Sequence, residues 1–202
     1  MKKLGISILS VLLLFSFAEA SLDKAQNEKW IVESQKIRKM KDKNFTTSIV
    51  VSQSPEEVYN AINNVRGWWS EEIEGPTDEL NKEWFYHYKD IHLCKMKVVE
   101  LEPEKKIIWT VMENNFKFVK DKEEWTGNRL IFEIGKEGEK TRLTFTQEGL
   151  TEFYECYDVC QEAWTNYVNN SLYKLITTGK GEPNPSEGDG YNKELANKWK
   201  LN

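Results

Sequence analysis

From residue 84 onward the chain alternates. Trp84, Tyr86 and Tyr88 share one parity while Phe85, His87 and Lys89 share the other, the period of a strand whose two faces meet different surroundings. Leu93 to Leu101 repeats the pattern, with Cys94, Met96 and Val98 opposite Lys95 and Lys97. Glu102-Pro103-Glu104-Lys105 reads as a tight turn into a strand from Lys106 to Met112. Asn114 to Gly127 is a longer charged connection carrying Phe116, Phe118 and Trp125. Leu130, Phe132 and Ile134 then mark a strand, Gly135 to Lys140 a hairpin, and Leu143, Phe145 and Gln147 the inward positions of the last strand.

Upstream, Phe45 to Val51 is rich in Thr, Ile and Val and predicts a first strand. Ser54-Pro55-Glu56-Glu57 is a helix start, with a capping Ser, Pro at the first helical position and Glu three residues on. Val58, Ala61, Ile62 and Val65 form its apolar stripe, and Gly67 stops it just before Trp68-Trp69. Downstream the period changes. Phe153, Tyr157, Cys160, Trp164, Tyr167, Ser171 and Leu175 recur at spacings of three and four, predicting one helix from Glu152 to Thr178. Gly179 and the Gly181-Glu182-Pro183-Asn184-Pro185 run end it. The remainder, 182–202, reads as a polar tail with a short helix at Lys193 to Trp199.

The order is strand, short helices, a meander, then a long amphipathic helix. This predicts an α+β fold in which a curved antiparallel sheet wraps the C-terminal helix, because a meander with one apolar face needs a cover. A cavity is expected wherever inward side chains leave the gap between sheet and helix unfilled.

The ends change the picture of compartment. Lys2 and Lys3, the apolar run Leu4 to Phe17 and Ala18-Glu19-Ala20 have the three-part pattern of a secretory signal peptide, cut before Ser21. Its apolar core is short for a membrane span, which needs about 20 residues. The expectation is an exported protein, periplasmic or secreted, with no membrane span after cleavage. Residues 21–43 form a charge-dense extension and 44–181 the domain.

Composition narrows the function. A chain that is 39% hydrophobic and 12% aromatic is too apolar to be disordered. Its net charge of −5, without any basic run, argues against nucleic acid as a partner. The three cysteines, Cys94, Cys156 and Cys160, are an odd number, so at least one is free or pairs between chains. His92 with these cysteines is a candidate zinc set, but the spacing fits no zinc motif, and the expectation is no metal and no cofactor. The candidate acid–base groups are Tyr86, Tyr88, Gln147, Tyr157 and Tyr167, none of them a strong base at neutral pH. No catalytic residue is assigned. Gly135 and Gly138 lie in a hairpin rather than a phosphate-binding loop.

Ser54-Pro55-Glu56-Glu57-Val58-Tyr59, the Gly67-Trp68-Trp69 step, Glu124-Trp125-Thr126-Gly127 and Leu143 to Leu150 together resemble the SRPBCC, or START-like, superfamily. The ending Ala163-Trp164-Thr165 through Leu175 to Gly181 resembles its bacterial branch named after the activator of the heat-shock-protein-90 ATPase. The resemblance covers about Phe45 to Pro183 and implies a helix-grip fold with a deep cavity. Superfamily members bind lipids, sterols, hormones or polyketides, and a few catalyse cyclisation or dehydration. It implies an exported binding protein for a small hydrophobic or amphipathic ligand. The alternatives are a cavity enzyme of the polyketide cyclase or aromatase type, and a protein-interaction module. The residues expected to line the cavity are Trp69, Tyr86, Tyr88, Met96, Trp109, Phe132, Phe145, Gln147, Trp164 and Tyr167. Cytosolic ATPase activation does not fit an exported chain.

Overall fold

The computed structural model describes residues 26–27, 29–35 and 43–201. The signal peptide expected at residues 1–20 lies outside the described residues. The chain divides into two units, 1–43 and 44–202. In the first, residues 29–35 are helical. Among the described residues no helix is long and apolar enough to cross a membrane.

The second unit is built on one seven-stranded antiparallel sheet. Its strands are β1 (Phe45–Val51), β2 (Ile73–Glu74), β3 (Glu83–Tyr88), β4 (His92–Glu102), β5 (Lys106–Phe116), β6 (Arg129–Glu137) and β7 (Lys140–Glu148). Their order is β1-β7-β6-β5-β4-β3-β2, so the meander pairs neighbour with neighbour and β1 returns to the far edge beside β7. Register slips at Lys95/Met96 and Val98/Glu100 put extra residues into the β4–β5 ladder. Such bulges increase bend and twist, which a sheet needs in order to curl.

Helix α1 (Pro55–Asn63) begins with the capping box that its sequence announces. The Ser54 hydroxyl accepts from the Glu57 N–H at 3.2 Å, and the Glu57 carboxylate accepts from the Ser54 N–H at 2.7 Å. A single turn, Val65–Gly67, then sets Trp68 and Trp69 into the interior. Trp68 donates to the Ile62 carbonyl at 3.1 Å and is fully buried.

The gripped helix departs from the expected single rod. It consists of α2 (Tyr157–Asn166), a wide-turn π segment (Tyr167–Leu172) and α3 (Tyr173–Thr178). Within the π segment Tyr167, Val168, Ser171 and Leu172 are all buried. The helix starts at Tyr157 instead of Glu152, and its own cap residue, Cys156, makes no side-chain capping bond. The cap comes from a distant loop: the Glu124 carboxylate accepts from the N–H groups of Glu155, at 2.5 Å, and Cys156, at 3.0 Å.

Two further differences lie near the site. β5 continues past Met112 to Phe116 because β4 offers it His92 to Lys95 as ladder partners. The segment read as a polar tail is built into the fold. Asn184 pairs with Ser70 as a parallel bridge, and α4 (Tyr191–Trp199) packs Leu195 and Ala196, with Leu201 beyond it, against Val159.

Candidate functional site

The space between sheet and helix is largely filled by rings. Trp69 packs on Tyr86 and Trp164 with centroids 4.6 and 4.8 Å apart. Phe145 meets Trp164 at 4.6 Å, Phe132 meets Phe145 at 4.9 Å and Trp109 meets Phe132 at 4.8 Å. A contiguous aromatic core of this kind contributes strongly to stability, and it leaves little empty volume.

A cavity of about 50 Å³ lies at one end, under α4. Its wall comes from five places. Trp69 follows the α1 turn, while Tyr86, Tyr88, Ile91 and His92 come from β3, β4 and their connection. Phe116, Phe118 and Trp125 come from the end of β5 and the loop after it, and Val159, Cys160, Ala163, Trp164 and Tyr167 from the gripped helix. Asn192, Leu195 and Leu201 close it from the C-terminal segment.

Of the residues expected at the cavity, Trp69, Tyr86, Tyr88, Trp164 and Tyr167 stand on this wall. Met96, Trp109, Phe132, Phe145 and Gln147 do not reach it and lie in the closed core. They face the helix as their parity requires, but the neighbouring rings fill the space in front of them. Gln147 accepts from the Trp164 indole N–H at 2.6 Å. Tyr157, an acid–base candidate from the sequence, is also off the wall.

Three polar residues of the wall, Tyr86, Tyr167 and Asn192, form one hydrogen-bonded group. Asn192 Nδ2 donates to the Tyr86 hydroxyl at 2.9 Å, and the Tyr167 hydroxyl donates to Asn192 Oδ1. Asn192 is held by its own N–H, which donates to Asn184 Oδ1 at 2.7 Å. Asn184 Nδ2 in turn donates to the Trp69 carbonyl at 2.9 Å. Burial pushes the Tyr86 hydroxyl well above its ordinary range, against the opposing hydrogen bond from Asn192, and burial also raises Tyr167. Both hydroxyls therefore stay protonated at neutral pH.

His92 packs among Tyr86, Phe116 and Trp125, with centroids at 5.2, 4.3 and 5.1 Å. Its Nε2 lies 2.9 Å from Asn114 Oδ1, and Asn114 Nδ2 donates to the Lys122 carbonyl. That second bond fixes the amide, so Asn114 presents an acceptor and His92 carries its proton on Nε2. Burial lowers the imidazole to about 4, the Asn114 bond opposing it. No Asp, Glu, Lys or Arg stands on the described wall. At neutral pH the wall presents neutral hydrogen-bonding groups and ring faces, which suit binding and orientation.

The cysteines do not assemble a metal site. All three are free and buried, and burial pushes the Cys94 and Cys156 thiols up. Among the described residues no three His, Cys, Asp or Glu are arranged to hold an ion. Outside the sheet–helix space, a shallow groove of about 600 Å³ runs beside β3, β4 and β5. Phe85, Leu93 and Met112 lie exposed in it, among His87, Lys95 and Glu113.

Several wall residues were not anticipated. His92 was weighed only as a ligand, although its parity with Cys94 already placed it on the inner face. Asn192, Leu195 and Leu201 sit in a segment whose composition is polar. The available signal was the i, i+4 pair Leu195 and Trp199, too short to specify a docking partner.

Comparison with known proteins fits this geometry. Residues 52–177, more than half of the chain, match the family model described as Activator of Hsp90 ATPase homolog 1-like protein. No curated protein matches the sequence. The solution structure of the Aha1 dimer from Colwellia psychrerythraea is 22% identical, with a TM-score of 0.55, over 69% of this chain and 99% of that one. A protein from Staphylococcus saprophyticus is 16% identical with a TM-score of 0.51, over 69% and 95% of the two chains. A protein of the dynemicin biosynthetic locus, DynU16, is 15% identical with a TM-score of 0.51, over 67% and 48%. These likenesses establish a shared fold. Both the bridge at Asn184 and α4 lie beyond the matched family residues.

Proposed function

Because the chain belongs to the Activator of Hsp90 ATPase homolog 1-like family, we propose that it is an exported binding protein for a small hydrophobic or amphipathic ligand. The observation that carries this reading is the wall under α4, where rings and aliphatic groups surround a few neutral polar atoms. Such a wall holds a ligand chiefly by apolar burial, at roughly 25 cal/mol per Å², with the tyrosines setting orientation. A cyclase-type enzyme in the same place needs a group that gives or takes a proton. Burial makes the Tyr86 and Tyr167 hydroxyls weaker acids and the His92 imidazole a weaker base than usual, which favours carriage over chemistry.

Native mass spectrometry of the protein from its own host, before and after organic extraction, tests the reading. A reproducible added mass that extraction removes is expected. A bare chain mass, together with no thermal shift across a library of lipids and aromatic compounds, overturns it.

A second reading, a protein-interaction module, is favoured by the outer groove with Phe85, Leu93 and Met112 exposed. The relative from Colwellia psychrerythraea was solved as a dimer, which makes a second copy the natural occupant to test. Light scattering over a range of concentrations would show a dimer that Leu93→Lys dissolves.

A further inference from the structure

The cavity as it stands is far too small for a ligand. Binding sites for drug-sized molecules run from about 300 to 1,000 Å³, whereas this one is about 50 Å³. The difference is occupied by the chain itself. Leu195 and Leu201 lie on the aromatic wall, and Asn192 inserts a carboxamide between the hydroxyls of Tyr86 and Tyr167. The attachments on either side of this insert are unequal. Upstream, Asn184 is clasped to Trp69 and Glu71 through its N–H, its carbonyl and its side chain. Residues 186–190 then form a turn holding two glycines, Gly188 and Gly190, anchored by Ser186 on Glu71. Downstream, α4 is held at the rim by Lys198 and Trp199, both on the exposed side of Glu162.

We propose that α4 with its flanks is a built-in occupant of the cavity, and that it reports the chemistry of the ligand that replaces it: an apolar body with an uncharged amide head. This inference rests on the reading of the cavity as a ligand site. The amide is specified by the two tyrosines, one accepting from Asn192 Nδ2 and the other donating to Oδ1. The head is uncharged because the wall offers no cation, and an unpaired carboxylate buried among these rings is strongly disfavoured. The apolar body takes the place of Leu195 and Leu201. Ligand entry requires α4 to swing out about the 186–190 turn while the Asn184 clasp stays shut. The affinity measured for any ligand is therefore reduced by the fraction of molecules in which α4 is out.

Cys160 supplies a reporter that needs no ligand. It lies on the cavity wall and is 4% exposed, whereas Cys156, one turn away, is fully buried in the core. Opening of α4 uncovers the first; only wider unfolding uncovers the second. The experiment is pulsed alkylation with iodoacetamide, read at each cysteine by mass spectrometry, on the intact chain and on Asn192→Ala. Leu195→Ser serves as an independent variant should the first fold poorly. Each variant is expected to label Cys160 at least tenfold faster with Cys156 unchanged. Equal Cys160 rates in the three proteins would overturn the displaceable occupant.

The same proteins are then titrated with naphthylacetamide and naphthylacetate, followed by naphthyl fluorescence. The amide is expected to bind at least tenfold more tightly than the carboxylate, and more tightly still to Asn192→Ala. Equal affinities would overturn the amide head. Faster Cys160 labelling with neither compound bound would leave the moving segment standing and sink the ligand reading of the cavity itself.

Discussion

The indole N–H of Trp164 donates to the side-chain carbonyl of Gln147 at 2.6 Å, joining the gripped helix to the end of β7. Both side chains are buried, and the Gln147 amide nitrogen finds no acceptor. The residue thus carries one satisfied and one unsatisfied group. Gln147→Leu removes both and leaves the indole unpaired, so stability is expected to change by no more than about 1 kcal/mol. Trp164→Ala opens a void among Trp69, Phe145 and Trp125 and is expected to cost about 3–5 kcal/mol. Urea unfolding of the two variants checks the contrast.

His92 makes stability depend on pH. The imidazole is neutral in the folded chain down to about pH 4, whereas the unfolded chain takes up the proton near pH 6.5. Between these values the unfolded state binds more protons, so stability is fully present above pH 6.5 and falls as pH is lowered. The loss from this residue reaches about 3 kcal/mol at pH 4. His92→Gln, which retains a donor toward Asn114, is expected to flatten that part of the profile. Thermal melts between pH 4 and 7.5 would reveal an unchanged slope if another group is responsible.

Glu124 caps a helix from outside its own sequence neighbourhood. Its carboxylate faces the N–H groups of Glu155 and Cys156 at the positive end of α2. Glu124→Gln keeps an acceptor but loses the charge, and is expected to cost about 1 kcal/mol. Glu124→Ala leaves the buried Cys156 N–H and the partly buried Glu155 N–H unpaired and is expected to cost about 2 kcal/mol. Circular dichroism melts of the two variants should rank in that order.

The thiols provide a test of packing. With all three buried and two of them pushed up by burial, a disulfide-exchange reagent is expected to find almost no thiol in the folded chain at pH 8. Three are expected after unfolding in urea. Rapid reaction of Cys94 or Cys156 in the native chain would contradict the core described above.

A last prediction concerns Gly181. A Cβ there would meet the Gly67 carbonyl oxygen at 2.3 Å and the Ser171 carbonyl oxygen at 3.0 Å, so the backbone must move. Gly181→Ala is expected to cost about 1–3 kcal/mol. It should also loosen the bridge at Asn184, seen as faster hydrogen exchange of the Glu71 and Asn184 amides.

These sites show where sequence was informative. Strand β1, the capping box at Ser54 and the inward parity of Trp84, Tyr86, Phe132 and Phe145 were all legible, because each depends on local spacing. The family resemblance and the sheet-around-helix architecture follow from the same patterns. The start of α2 was not legible, since its cap comes from Glu124, some thirty residues away. Which inward residues face a void and which face one another was equally hidden. Phe145 and Tyr86 carry the same signature, yet one meets Trp164 in the closed core and the other meets Asn192. That distinction depends on the volumes of side chains brought together from five elements. The C-terminal segment was the hardest, because a docked segment with few apolar groups has the composition of a solvated one.

The Asn184 clasp also orders events in time. It joins residues 115 apart along the chain, and both its partner at Trp69 and the tyrosines that receive Asn192 must already be in place. Loop closure over such a span gains its contacts only once the intervening strands have paired. The interior of a refolding molecule is thus complete on three sides before its own last segment arrives. With α4 as the displaceable occupant proposed above, a compound present during synthesis or refolding would meet a vacant seat, while one added later would have to evict a tenant.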